Sequence, residues 1–178
     1  DRAVYRLASL TGLSVRSAGI ITEVARQIVA AYQPDTSLSV QTILSPAWFD
    51  SLIDLREVWR SRPVTYGSYQ SVPNVDHLAV LQLWIEGVDY DAVQVRICKN
   101  FSHFQINTKT QIAATYVAQM FEYRLPWILG ALALAVEYTE GPEELNEFLA
   151  GLPALVRYGV PTDDAVELAR ICGAERRM

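Results

Sequence analysis

Lysine, histidine and cysteine are scarce in this chain of 178 residues. It contains 2 histidines, 2 cysteines (Cys98 and Cys172) and 2 lysines (Lys99 and Lys109), beside 13 arginines. A structural zinc site needs several Cys and His ligands at short spacing, and disulfide scaffolds are dense in cysteine. We therefore expect no metal site and no disulfide framework. Two reduced thiols suit a cytoplasmic protein.

The glycine-containing motifs of common enzymes are also missing. Neither lysine follows a glycine, so no phosphate-binding Gly-Lys-Ser/Thr loop exists, and neither Gly-x-Gly-x-x-Gly nor Gly-x-Ser-x-Gly occurs. The sequence therefore predicts no catalytic residue and no cofactor site in this chain. A remaining alternative is Cys98 as a nucleophile with His103 as its base, although no acid nearby would orient the histidine.

Long apolar runs and an excess of positive charge are absent as well. The longest uncharged apolar run, 125–136, has 12 residues, fewer than the ~20 that span a bilayer, so we expect a buried core helix and no membrane partner. The net charge of −5 argues against autonomous binding to nucleic acid, because phosphate contacts dominate that affinity. The chain opens at Asp1, without an initiator Met, and we expect it to be a piece of a larger protein.

Helical periodicity is what the sequence has in abundance. Apolar residues recur at spacings of three and four in the first 32 residues, at Val15, Ala18, Ile21, Ala25, Ile28 and Tyr32. Ser14 and Ser45-Pro46 are typical helix starts, and Gly87 is a typical helix end. Only 63–72 could form a short strand. We predict an all-α, multi-helix bundle.

A narrow polar stripe follows the otherwise apolar segment 107–123. Its members are Thr108, Gln111, Thr115, Gln119 and Glu122. Such a stripe is usually the solvent side of a helix, but the apolar flanks leave open a second interpretation, the polar wall of an internal channel. Arg56, Arg60 and Arg62 are expected at the C-terminal end of the helix that starts at Ser45, where cations suit the helix dipole.

The segment from Leu7 to Ala18, LASLTGLSVRSA, resembles a helix-turn-helix. The glycine permits the tight turn, and Leu-Ser opens the second helix. In such a motif Arg16 and Ser17 would face a major groove.

Over most of its length the chain resembles the C-terminal region of Ski-like superfamily-two DEAD/DEAH-box helicases. The motifs that carry the resemblance are TGLSVRSA (11–18), LQLWIEG (81–87), FEYRLPW (121–127), LPALVRYGV (152–160) and ICGAERR (171–177). In that family a winged helix passes into a helical "ratchet" bundle, which often ends in a helix-hairpin-helix. The resemblance implies a ratchet-like bundle over 1–150 and a partial helix-hairpin-helix-like segment over 151–178.

The implied function is that of a non-catalytic accessory domain that forms one wall of a helicase's nucleic-acid channel. Single-stranded nucleic acid and the helicase motor lobes would be its partners, and ATP and magnesium would bind only to those lobes. The contact candidates are Arg56, Arg60, Arg62, Tyr66, Tyr69, Gln111, Thr115, Gln119, Arg176 and Arg177. The alternative is a helical protein-interaction or regulatory module with an N-terminal helix-turn-helix.

Overall fold

The chain folds as an all-α bundle, as the sequence predicts. The computed structural model describes residues 1–59, 65–66, 69–70, 75–99, 101 and 104–158, with the backbone alone at Trp59, 65–66 and 69–70. Its helices are α1 (Arg2–Thr11), α2 (Val15–Ala31), α3 (Val40–Ile43), α4 (Pro46–Ile53), α5 (Arg56–Trp59), α6 (His77–Ile85), α7 (Tyr90–Ile97), α8 (Ile106–Gln119), α9 (Leu125–Tyr138) and α10 (Glu143–Tyr158). Two short strands, β1 (Thr65–Tyr66) and β2 (Tyr69–Gln70), pair antiparallel, with Thr65 opposite Gln70.

Local sequence signals set most of the helix ends. The side chain of Ser14 accepts a hydrogen bond from the main chain of Ser17 at the start of α2, and Ser45 does the same for Trp48 in α4. Gly12 ends α1 in the left-handed conformation, with a φ of 76°. A side chain at Gly12 would be strained there, which is why the sharp turn between α1 and α2 carries a glycine.

The apolar run predicted to be a core helix is α9, the central helix of the bundle. It packs against α1, α2 and α10. Eight of its residues are buried, namely Leu125, Ile128, Leu129, Ala131, Leu132, Ala133, Ala135 and Val136. No helix among the described residues has the length and apolarity needed to cross a membrane.

A π-helical turn, Met120–Arg124, joins α8 to α9. The main-chain N–H of Leu125 donates to the oxygen of Met120, five residues back. Pro126 follows at once, and proline both lacks an N–H and clashes with the carbonyl four residues before it. The wider turn relieves that clash while Met120 and Phe121 stay buried.

One expectation about an element boundary needs correction. The helix that starts at Ser45 breaks at Asp54–Leu55, so Arg56 begins α5 and does not lie at a C-terminal end. Of the apolar residues that recur along α2, Ala18, Ile21, Ala25 and Ile28 are buried, whereas Val15 is 49% exposed. Helix α10 runs from Glu143 to Tyr158, and the division of the chain at 150/151 stays a prediction. The helix-hairpin-helix-like segment beyond Tyr158 lies outside the described residues.

Candidate functional site

A buried carboxylate holds the N-terminus of α2. Glu57 on α5 is 2% exposed. It accepts hydrogen bonds from the main-chain N–H of Ser14 at 3.1 Å and from the hydroxyl of Ser17 at 2.5 Å. The first turn of a helix has unpaired N–H groups, and its dipole favours a negative charge. Glu57 therefore fixes α5 against the start of α2.

The hydrogen bonds at Glu57 also determine its charge. Burial raises the pKa of this carboxyl, but the hydrogen bonds from Ser17 and Ser14 outweigh burial and hold its pKa below the ordinary value of 4.5. Glu57 is consequently ionised at neutral pH.

Two further hydrogen bonds bring the π turn and α9 to the same place. The guanidinium of Arg124 donates to the main-chain oxygen of Glu57 at 3.2 Å. The indole N–H of Trp127 donates to the main-chain oxygen of Thr11 at 2.9 Å. The α1–α2 turn, α5 and the π turn thus meet at one point, which we call the Glu57 junction.

On one side of the junction lies a polar depression of about 310 Å³. It is lined by Arg16, Ser17, Ile20, Ser51, Asp54, Leu55 and Arg56. Arg16 and Arg56 are both exposed. Two guanidinium groups and one carboxylate, that of Asp54, line this Arg16–Arg56 depression, so its net charge is positive. Guanidinium groups match phosphate and carboxylate geometry, and the depression can therefore attract an anion.

A larger groove of about 530 Å³ lies beside Arg124. Its lining is Glu122, Tyr123, Arg124, Pro126, Trp127, Pro153 and Arg157. Tyr123 is 65% exposed, and the guanidinium carbon of Arg124 lies 5.1 Å from the centre of its ring. This Tyr123 groove presents an aromatic face together with two arginines, the combination on which nucleotides stack and pair their phosphates.

The predicted polar stripe lies along α8 and the π turn, at the edge of the buried face. Gln111 is exposed, while Thr115 and Gln119 are half-buried. The hydroxyl of Thr115 donates to the main-chain oxygen of Gln111 at 2.8 Å. The stripe therefore reaches solvent, and Glu122 at its end lines the Tyr123 groove.

The structure places only part of the predicted contact set. Arg56 lines the Arg16–Arg56 depression, as described above. Arg60, Arg62, Arg176 and Arg177 lie outside the described residues. Tyr66 and Tyr69 face each other in the pairing of β1 and β2, but their side chains are not among those described.

The structure changes the interpretation of two single residues, Ser17 and Cys98. Ser17 is 2% exposed and bonded to Glu57, so the expectation that it faces a major groove is wrong. The thiol of Cys98 is 5% exposed and donates to the main-chain oxygen of Lys109 at 3.4 Å. Burial raises the pKa of Cys98, which makes it a poor nucleophile.

Sequence reasoning missed Tyr123, Arg124 and Arg157 as site residues. Tyr123 and Arg124 lie in FEYRLPW (121–127), a segment whose apolar pattern predicts a helix and gives no sign of a site. One usable signal is the proline within a helical pattern, because π turns recur at functional sites. Arg157 follows Pro153 by four residues on α10, so the two share a helix face.

A polar pair, half-buried His77 and buried Tyr116, lies elsewhere in the bundle. The Nδ1 atom of His77 is 2.7 Å from the hydroxyl of Tyr116, and the two rings stack 4° from parallel. Burial lowers the pKa of His77, although Asp50, Asp54 and Asp76 partly oppose that effect. Burial also raises the pKa of Tyr116. His77 is therefore neutral at physiological pH.

No group of three or more His, Cys, Asp and Glu side chains within the described part of the chain could hold a metal ion. Comparisons of the chain with protein-family models, with curated proteins and with solved structures found no match.

Proposed function

We propose that this chain is a non-catalytic accessory domain of an ATP-dependent nucleic-acid helicase, where it forms part of the wall along which a single strand passes. The observation that carries the proposal is the Glu57 junction, which sets the Arg16–Arg56 depression and the Tyr123 groove side by side. The motor lobes would supply ATP hydrolysis, and this domain would hold the strand.

Three features of the junction support a single strand as the ligand. Exposed aromatic rings stack on unpaired bases, which duplexes do not offer, and arginines pair with phosphates. Tyr123, Arg124 and Arg157 provide these groups on one groove. The junction is also rigid, because its hydrogen bonds tie three segments together, and rigid sites bind with less entropic cost.

The proposal is tested by titrating labelled single-stranded DNA and RNA of one sequence with the chain, at low salt, by fluorescence anisotropy. We expect weak binding, with a Kd on the order of 10⁻⁴–10⁻⁶ M, typical of non-specific contacts. Tyr123→Ala should weaken binding about tenfold through lost stacking. Arg56→Gln should weaken strand binding about fivefold, because it removes one contact with a phosphate.

Matched variants away from the junction control for general effects. Tyr5→Ala removes another largely exposed tyrosine, and Arg26→Gln removes an arginine that is already paired with Asp1. Both should bind like the parent chain. The proposal is wrong if the chain binds neither strand at millimolar concentration and gives no increase in strand affinity when joined to ATPase lobes.

The alternative, a regulatory module with a helix-turn-helix, retains one supporting feature. Helices α1 and α2 do meet at a glycine turn, and Arg16 is exposed. Burial of Ser17 removes the second residue that would read a groove. Duplex binding that is lost with Arg16→Gln and unaffected by Tyr123→Ala would favour the regulatory module.

A further inference from the structure

A second groove, of about 290 Å³, lies between the start of α3, the end of α6 and one face of α10. It shares no lining residue with the Tyr123 groove. Six of its ten lining residues are apolar, namely Leu38, Val40, Ile85, Phe148, Leu152 and Leu155. We call it the Phe148 groove.

The Phe148 groove leaves apolar surface in water. Val40 and Leu152 are buried and form part of the core. Ile85, Phe148 and Leu155 pack against that core but stay only partly buried. Contiguous apolar surface of this kind is typical of sites that another molecule covers, because covering it removes that surface from water.

The walls of the groove are fixed before anything binds. Ser39 and Thr42 cap α3 reciprocally, each side chain accepting from the other's main-chain N–H, at 3.2 Å and 3.0 Å. The indole N–H of Trp84 on α6 donates to the main-chain oxygen of Val156 on α10 at 2.6 Å. A groove held in this way loses little conformational entropy when it is filled.

One charged side chain lines the groove. It is Glu86, at the end of α6, and its carboxylate is exposed to solvent. No lysine or arginine lines the groove among the residues that the structure describes. Its volume is near the lower limit of small-molecule pockets, which suits a few aliphatic side chains better than a cofactor.

We infer that the Phe148 groove docks an amphipathic peptide segment of a partner protein, which places aliphatic side chains between α6 and α10 and a lysine or arginine beside Glu86. This interaction is independent of strand binding at the Glu57 junction. A partner protein is thereby recognised by apolar contact, with charge setting the preference for a basic segment.

The test uses three labelled helical peptides of about 14 residues, or about four turns. The first carries leucines on one face and flanking lysines, the second has glutamates for the lysines, and the third has serines for the leucines. Fluorescence anisotropy with the intact chain should show binding of the first peptide, weaker binding of the second and none of the third. Leu155→Asp should weaken binding of the first peptide by about tenfold or more, as for a central anchor.

Two variants keep the result interpretable. Val95→Asp places the same charge on α7, at a valine 72% exposed and outside the groove, and should leave peptide binding unchanged. Glu86→Lys alters only an exposed side chain and should invert the preference between the first and second peptides. The inference is overturned if the serine peptide binds as tightly as the first peptide, or if peptide binding is unchanged in both Leu155→Asp and Glu86→Lys. It is also overturned if sedimentation shows that this chain forms a dimer that depends on Leu155. Strand binding should survive Leu155→Asp, which separates this test from that of the proposed function.

Discussion

At the scale of single residues, Glu57 gives the sharpest prediction about stability. Glu57→Gln keeps the size of the side chain but removes the charge that faces Ser14, Ser17 and the α2 dipole. We expect the free energy of unfolding to fall by about 1–2 kcal/mol, since hydrogen bonds to charged groups contribute about that much. Urea unfolding followed by circular dichroism measures the change.

The control for Glu57→Gln is Glu23→Gln, at an exposed glutamate on α2. Its free energy of unfolding should stay within about 0.5 kcal/mol of the parent value. The pKa of Glu57 is lowered in the fold, so its contribution is present above the ordinary value of 4.5 and lost as the pH falls through the folded value. A Glu57→Gln deficit that persisted in strong acid would contradict this account.

The His77–Tyr116 pair predicts a second pH dependence. The pKa of His77 is lowered in the fold, so the unfolded chain binds more protons between the folded value and the ordinary 6.5. Stability should therefore fall as the pH drops below 6.5 towards the folded value. His77→Gln does not titrate, and its Tm should change less between about pH 7.5 and about pH 5.5 than the parent's. If His77→Gln and the parent chain lost the same stability on acidification, protonation of His77 would not be its cause.

At the scale of elements, the α9–α10 hairpin contains two glycines for which the same substitution should have opposite effects. A Cβ at Gly141 would lie 2.4 Å from Cγ1 of Val136, so Gly141→Ala should destabilise the fold by about 1–3 kcal/mol. A Cβ at Gly130 would meet only Pro153, at 3.8 Å, so Gly130→Ala should stabilise α9 by about 0.5–1 kcal/mol. Each kcal/mol corresponds to about 2–4 °C in Tm. Thermal unfolding of both variants checks the signs, and equal signs would refute the geometry of this hairpin.

Helix ends and the central core helix were predictable where the sequence signal lies within the helix itself or directly beside it. The caps at Ser14 and Ser45, the turn at Gly12 and the core run of α9 all depend on residues within one or two helical turns. The Glu57 junction was not predictable, because Glu57 is 43 residues from Ser14 and 67 from Arg124. Contacts at such separations depend on how helices pack, which periodicity does not encode. The break at Asp54–Leu55 was not predictable either. It lets Glu57 reach the start of α2, and that contact also depends on how the helices pack.

At the scale of the whole molecule, the net charge of −5 conceals how the charges are distributed. Arg16, Arg56, Arg124 and Arg157 line the two sites beside the Glu57 junction. Two carboxylates, those of Asp54 and Glu122, line the same two sites, so the four arginines leave an excess of positive charge there. At the Phe148 groove the one charged lining residue is Glu86. The net charge of the whole chain therefore does not give the charge at either place.

If the chain holds a single strand at the Glu57 junction, as proposed, the dependence of its affinity on salt should count the arginines that contact phosphate. Each phosphate neutralised on a single strand contributes a slope of about −0.7 to the logarithm of the binding constant against the logarithm of salt concentration. If all four junction arginines contact phosphate, the slope should approach about −3, and Arg56→Gln or Arg157→Gln should each reduce it by about 0.7.

Two controls separate this slope from other effects. Arg26→Gln should leave the slope unchanged. Tyr123→Ala should lower the affinity but leave the slope unchanged, because stacking releases no counterions. Anisotropy titrations between about 20 and 200 mM salt measure these slopes. A slope that responded equally to Arg26→Gln and Arg56→Gln would mean that the strand follows the general charge of the bundle and does not bind at the Glu57 junction.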